Sequence, residues 1–266
     1  MVRQPAVAGK FYTGDPDQLR QELAEMMPQQ ETQLAIGIIA PHAGYVYSGK
    51  AAGKVYAAVR VPDTVLILGP NHTGAGVAAA LAPENEWLTP LGPVPVNRRL
   101  SQLILENAPL VREDPLAHRF EHSLEVQVPF LQYRNPGVSI AALCLALPDF
   151  PSIAQVGEGI AHAIAAYGED VLIVASSDMT HYESAAAAKV KDDQALARLA
   201  DMDPEGLLKV CREKNITMCG VIPATALLVA AKIMGASACR LVHYTNSGEV
   251  NGDQRSVVAY AALMVS

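Results

Sequence analysis

The chain has 266 residues, 50% hydrophobic and 18% charged, with a formal net charge of -7. That length and balance suit one α/β domain with a substantial buried core, and an acidic surplus without any Lys/Arg cluster excludes a nucleic-acid footprint. No apolar run is long enough to span a bilayer, and the opening residues lack the basic-then-apolar pattern of a leader, so the expected location is cytoplasmic, with no membrane partner.

Asp15-Pro16 reads as a helix cap followed by proline in the first turn, and predicts an amphipathic helix to about Met27. From there short β-branched apolar runs alternate with helical patterns. Strands are expected at Ile36–Ala40, Thr64–Leu68, Val138–Leu143, Val171–Ala175, Arg240–Tyr244 and Ser256–Met264. Helices are expected near Gly49–Val59, with Ser48 as its opening residue, and near Arg98–Asn107, Ser123–Tyr133, Ile153–Ala166, Ala185–Ala200 and Ala224–Met234. The alternation predicts a single α/β domain over 1–266, built on a mostly parallel central sheet with helices on both faces. Val77–Val96, broken by Pro83, Pro90, Pro93 and Pro95, reads as a small antiparallel excursion. Cys144, Cys211, Cys219 and Cys239 follow no regular spacing, which argues against a disulfide framework.

In parallel α/β sheets, chemistry collects beyond the carboxyl ends of the strands. Strand "IGIIA" runs into "PHAGY", "TVLILG" into "PNHTG" and "VLIVAS" into "SDMTHY", so His42, His72 and His181 each follow a predicted strand end. Imidazole is the commonest ligand for borderline transition metals, and two rarely hold a metal alone. Asp178 and a thiol are the candidates for a third ligand. Cys219 stands just before the predicted helix of "MCGVIPATALL", where free amides and the helix dipole are expected to lower a thiol pKa. A rival motif is "HRFEH": His118 and His122 one helical turn apart with Glu121 between them match the H-x-x-E-H zinc-peptidase pattern, with Glu183, Asp192 or Asp193 as the further ligand.

The blocks "PAVAGKFYTGDP", "APHAGYVYSG", "LGPNH", "TPLGPVPV", "EHSLEVQVPFLQ", "SSDMTHY", "CGVIPATALL" and "NSGEVNGD" occur in the order found in the Memo family, which this chain resembles over nearly its whole length. Prokaryotic members are called the B protein of the AmmeMemoRadiSam system, and the family is similar to class III extradiol dioxygenases. The resemblance implies a fold like theirs and a metal site on His42, His72 and Cys219, with His181 as acid/base group beside Asp178, and Tyr45, Asn71 and His122 lining the pocket. Iron or copper is the implied metal, with zinc as the alternative. The dioxygenases pair two histidines with a carboxylate, whereas Cys219 would supply a softer thiolate here, so ring cleavage is not simply inherited. Two further readings stand beside metal-dependent oxidoreductase chemistry: a peptide- or partner-binding module, with a radical SAM protein and an AMMECR-type protein as implied partners, and a zinc hydrolase on the HRFEH segment. Thr13, Asn97 and Glu249 depart from the family pattern without touching the implied ligands.

Overall fold

Four parallel strands, Gly37–Ala40, Val171–Ser176, Thr64–Pro70 and Ser139–Leu145, stand side by side in that order at the centre of the computed structural model, which describes residues 1–266. Antiparallel strands extend the sheet on both sides. Val257–Val265 pairs with Gly37–Ala40 and is flanked by Cys239–Asn246 and His181–Glu183; Ala79–Leu81 pairs with Ser139–Leu145 and carries Arg112–Glu113 outside it.

The central strands read as continuous apolar runs because both faces of the sheet are covered, and successive side chains alternate between them. Ile39, Leu66, Leu68, Leu143 and Ile173 enter a core shared with the helices Arg98–Asn107, Phe150–Tyr167, Ala185–Ala200, Pro204–Glu213 and Val221–Ile233. Ile38, Val65, Ile67, Ile140 and Val174 face the opposite way, against the helices Pro16–Met26, Tyr45–Ala58 and Val128–Arg134. Each such side chain, fully buried, contributes about 1.5–3 kcal/mol.

Most helix starts follow from local caps. The side chains of Asp15, Asn97, Asp149, Ser184 and Asp203 accept hydrogen bonds from first-turn amides, each worth roughly 1 kcal/mol. The helix after the first central strand starts earlier than its Ser48 cue. Gly44 is its cap, the Tyr45 amide donates to the carbonyl of Phe11, and Ser48 sits inside the first turn with its hydroxyl donating back to the Ala43 carbonyl. The helix expected over Ser123–Tyr133 divides into a 3-10 turn, Glu125–Gln127, and an α-helix beginning at Val128, where Pro129 sits in the first turn and needs no amide partner. The Val77–Val96 excursion also divides. Ala79–Leu81 joins the main sheet, while Glu86–Thr89 and Gly92–Pro95 form a hairpin in a separate three-stranded sheet with Val2–Arg3.

Candidate metal centre

Because the four central strands are parallel, their carboxyl ends share one edge, and the loops beyond them bring imidazoles together. His42, two residues past its strand, is 2% exposed. Its tautomer follows from a chain of hydrogen bonds. The Pro41 carbonyl can only accept, so the Gln127 amide nitrogen faces it at 3.0 Å and also donates to Ser176 Oγ at 2.8 Å. The one hydroxyl proton of Ser176 goes to the Ser123 carbonyl, 2.6 Å away. Ser176 can therefore only accept from His42 Nδ1, at 2.8 Å, which puts the lone pair of His42 on Nε2, where the Cys219 thiol meets it at 3.0 Å. Burial, reinforced by the neighbouring His122 and His72, holds the His42 pKa well below its ordinary value, so the ring is neutral and fit to ligate.

His72 is held by Glu121. One carboxylate oxygen accepts from the His72 amide at 2.6 Å, and the other receives His72 Nδ1–H at 2.8 Å and the Ser123 amide at 2.9 Å. Burial opposes ionisation of Glu121, yet these hydrogen bonds and the facing imidazole keep its pKa down at about 2. A carboxylate on Nδ1 fixes the ring so that Nε2 is the atom left to ligate, as in carboxylate–histidine–metal arrangements. His122 stacks on His72 with ring centres 4.7 Å apart and lies edge-on to His42 at 5.4 Å, while Phe11 backs it at 4.8 Å. One ligating atom each from His42, His72 and His122 lie within 4.8 Å of one another, a group able to hold a metal ion.

Cys219, the expected third ligand, lies outside this group and touches only His42 of its members: it stands just before the helix Val221–Ile233, and its Sγ is 3.0 Å from His42 Nε2 and accepts from the Asp178 amide at 3.2 Å. Gly220 makes the approach possible: a Cβ there would lie 2.2 Å from the Ser176 carbonyl oxygen. The expected lowering of the thiol pKa is outweighed. Burial, with the Asp178 charge adding to it, pushes the thiol up, against smaller opposing hydrogen bonds. A thiolate at Cys219 therefore needs a cation beside it. Asp178 accepts from the amides of His42 and Ala43 through Oδ1, at 2.7 and 3.3 Å, and burial raises its pKa to about 7 despite those bonds.

His181 is oriented by Thr217 rather than by Asp178. Its amide donates to Thr217 Oγ1 at 2.7 Å and its Nδ1–H to the Thr217 carbonyl at 3.0 Å, leaving Nε2 as the free base, with burial lowering its pKa. Behind it the buried Asp192 accepts from the Thr180 amide, the Thr180 hydroxyl and Tyr244, fixing the loop. A cleft of about 450 Å³ is lined by Phe11, Tyr47, His122, Asp178, His181 and Tyr182 among others. Tyr182, 80% exposed, holds a left-handed φ of 60°, a conformation costly for an aromatic residue.

Other expected site residues lie elsewhere. Tyr45 is core: its hydroxyl donates to the Val126 carbonyl and its ring packs on Phe130, while Tyr47, two residues on, reaches the cleft. Asn71 shapes its own loop, accepting from Thr73 and the Gly74 amide and donating to the Ala75 carbonyl. The peptidase motif loses its premise, since His118–His122 is not helical and His118 is buried, donating from Nε2 to the Ala80 carbonyl beside Trp87. Its proposed further ligands are engaged elsewhere: Glu183 with Lys191, Asp193 with Lys189, and Asp192 as above. Glu121, noticed only as a peptidase base, orients His72 instead. Ser176, Thr217 and Phe11 carried no sequence signal beyond their nearness to the strand ends and the opening block.

The chain matches the family model described as Memo-like protein over residues 3–264. It is 41% identical to a MEMO1 family protein of Methanosarcina barkeri, over 99% of this chain and 100% of that one, and 39% identical to one of Aquifex aeolicus, over 99% and 98%. Among solved structures it is similar to an uncharacterized protein from Escherichia coli K12, with a TM-score of 0.56 and 14% identity, over 85% of this chain and 98% of that one, a likeness of fold alone. Matched by the family model from residue 3 to residue 264, and alike end to end to relatives near 40% identity, the chain belongs to the Memo family.

Proposed function

We propose that the protein is a metal-dependent oxidoreductase acting on a small organic ligand, with iron or copper held by His42, His72 and His122 and by Cys219 beside His42. The observation that supports it most is the paired orientation of His42 and His72, each with Nδ1 tied to the protein so that Nε2 is the atom left to ligate, that of His42 facing Cys219. The donor set fits the group: three imidazoles and one soft sulfur suit copper, iron or zinc better than hard cations. When bound, iron or copper would supply Lewis-acid polarisation and one-electron redox chemistry, whereas zinc would supply the first alone.

The chain's own residues do the rest. His122, shared between cluster and cleft, packs between His72 and Phe11 with Nδ1 3.5 Å from Glu121, and would hold the ion at the side that faces the cleft. His181 Nε2 accepts or returns a proton at the cleft wall, a role worth roughly 10²–10⁴-fold in rate. The test is oxygen uptake and the visible spectrum of reduced, metal-loaded protein against a panel of phenolic, thiol and peptide ligands. A response abolished in His181→Gln supports the reading; no response to any ligand sinks the redox assignment.

A second reading has one observation in its favour. The aromatic rim of Phe11, Tyr47 and Tyr182 is broader than an ion needs and suits a peptide, so the cleft would serve recognition. Calorimetric binding of short peptides to metal-free protein, unchanged in His42→Ala, would favour it over redox chemistry. Association with a radical SAM or AMMECR-type protein belongs to this reading as well.

A further inference from the structure

We infer that Arg3, near the start of the chain and well before the first proposed ligand, is a positioning residue for the metal centre, and that the first twelve residues are a structural part of it. This rests on the reading of His42, His72 and His122 as ligands. Arg3 is 4% exposed, and each nitrogen of its guanidinium is engaged: Nε donates to the His118 carbonyl at 2.9 Å, one terminal nitrogen to Glu125 at 2.7 Å, and the other to the Glu121 carbonyl at 2.7 Å. Two of its three bonds thus go to the backbone of the loop that carries Glu121 and His122. The third goes to Glu125, whose carboxylate also accepts from the amides of Ala6 and Val7 and from the Tyr12 hydroxyl.

Two routes lead from this hub to the ligands. Through the Glu121 carbonyl, Arg3 fixes the residue whose side chain grips His72 at two points. Through Glu125, the opening segment is pinned so that Phe11 backs the His122 ring. A planar fork with fixed donors can satisfy two carbonyls and a carboxylate at once; a lysine ammonium on a flexible stem cannot reproduce that geometry. The buried Arg3–Glu125 pair is a costly device for stability alone, since a well-packed neutral pair often serves as well. Its use here is the placement of the loop.

The experiment titrates Co(II) into metal-free protein, reading affinity by chelator competition and coordination from the visible absorption bands. Three chains are compared: wild type, Arg3→Lys, and the double variant Arg3→Met with Glu125→Gln. The double variant removes both charges together, so no lone buried charge is left to destabilise the fold. Circular dichroism and thermal unfolding report the fold, and Leu207→Ala, remote in the opposite core, controls for plain destabilisation. The expected result is a Co(II) affinity weakened about 10- to 100-fold with altered bands in both Arg3 variants, the range for lost partners of metal ligands, and an unchanged site in the control. Wild-type affinity and spectrum in either folded Arg3 variant would overturn the inference while leaving the metal reading intact. Wild type that binds no Co(II) would overturn the metal reading itself, and the inference with it.

Discussion

Glu121 grips His72 at two points, its Oε2 on the His72 amide at 2.6 Å and its Oε1 on His72 Nδ1 at 2.8 Å. One carboxylate therefore sets both the loop and the ring of a proposed ligand. The same carboxylate caps the Ser123 amide, so the loop that supplies His122 shares its anchor with the loop that supplies His72.

Replacing Glu121 with Ala is expected to weaken metal binding roughly 10- to 100-fold, the usual effect of losing the group behind a ligating histidine. Chelator competition with Zn(II) measures it, and affinity equal to wild type would remove Glu121 from the site.

The hydrogen-bond chain through Gln127 and Ser176 makes a statement about protons. In metal-free protein at neutral pH, long-range ¹H–¹⁵N spectra should show His42 and His181 protonated on Nδ1, and His118 on Nε2. Finding the His42 proton on Nε2 would mean that Ser176 does not donate to Ser123 and that the ring is not poised to ligate.

Gly220→Ala should be costly for its size. The added Cβ meets the Ser176 carbonyl oxygen at 2.2 Å and Ser177 Cβ at 2.4 Å, both belonging to the rigid strand end. Cys219 must then retreat, with about 1–3 kcal/mol lost from stability. Chemical denaturation and thiol-to-metal charge-transfer bands together test this, and an unperturbed variant would contradict the packing described.

His118 governs part of the acid sensitivity. Burial lowers its pKa from an ordinary 6.5 to about 4, so between those values the unfolded chain takes up a proton that the folded chain does not. Stability therefore falls as pH falls from 6.5 to 4, by about 3 kcal/mol across the window at roughly 1.4 kcal/mol per pH unit. His118→Gln, which keeps a donor for the Ala80 carbonyl, should flatten that portion of the curve relative to wild type. Urea unfolding at pH 4.5 and 7 measures the difference; parallel curves would show that His118 is protonated in the fold.

The strands were legible because the centre of the sheet is buried on both faces, which leaves unbroken runs such as Val65–Leu68 bounded by turns. Arg98–Asn107 and Ala185–Ala200 were legible in their bounds because Asn97 and Ser184 cap them with their own side chains. The start at Tyr45 was not, since Gly44 offers no side-chain cap and its neighbour's amide is satisfied by Phe11 from a distant segment. His42 and His72 followed from strand ends, a local signal. The placement of His122 beside them and the work of Glu121 depend on a loop fold set by Arg3 and Ser123, contacts more than a hundred and about fifty residues apart in sequence. Read as a helix, that same loop suggested a peptidase. Cys219 was found by its place before a helix, but its burial, which decides the charge of the thiol, is a tertiary property.

The most direct measurement is metal content by mass spectrometry on protein purified anaerobically, for wild type beside His42→Ala, His72→Ala, Cys219→Ala and His118→Gln. Near-stoichiometric iron or copper in wild type, lost in the first two, lost or weakened in the third and retained in the last, is the expected result. Wild type that carries no metal and takes up none on reconstitution, or metal that survives His42→Ala and disappears with His118→Gln, would contradict the central claim.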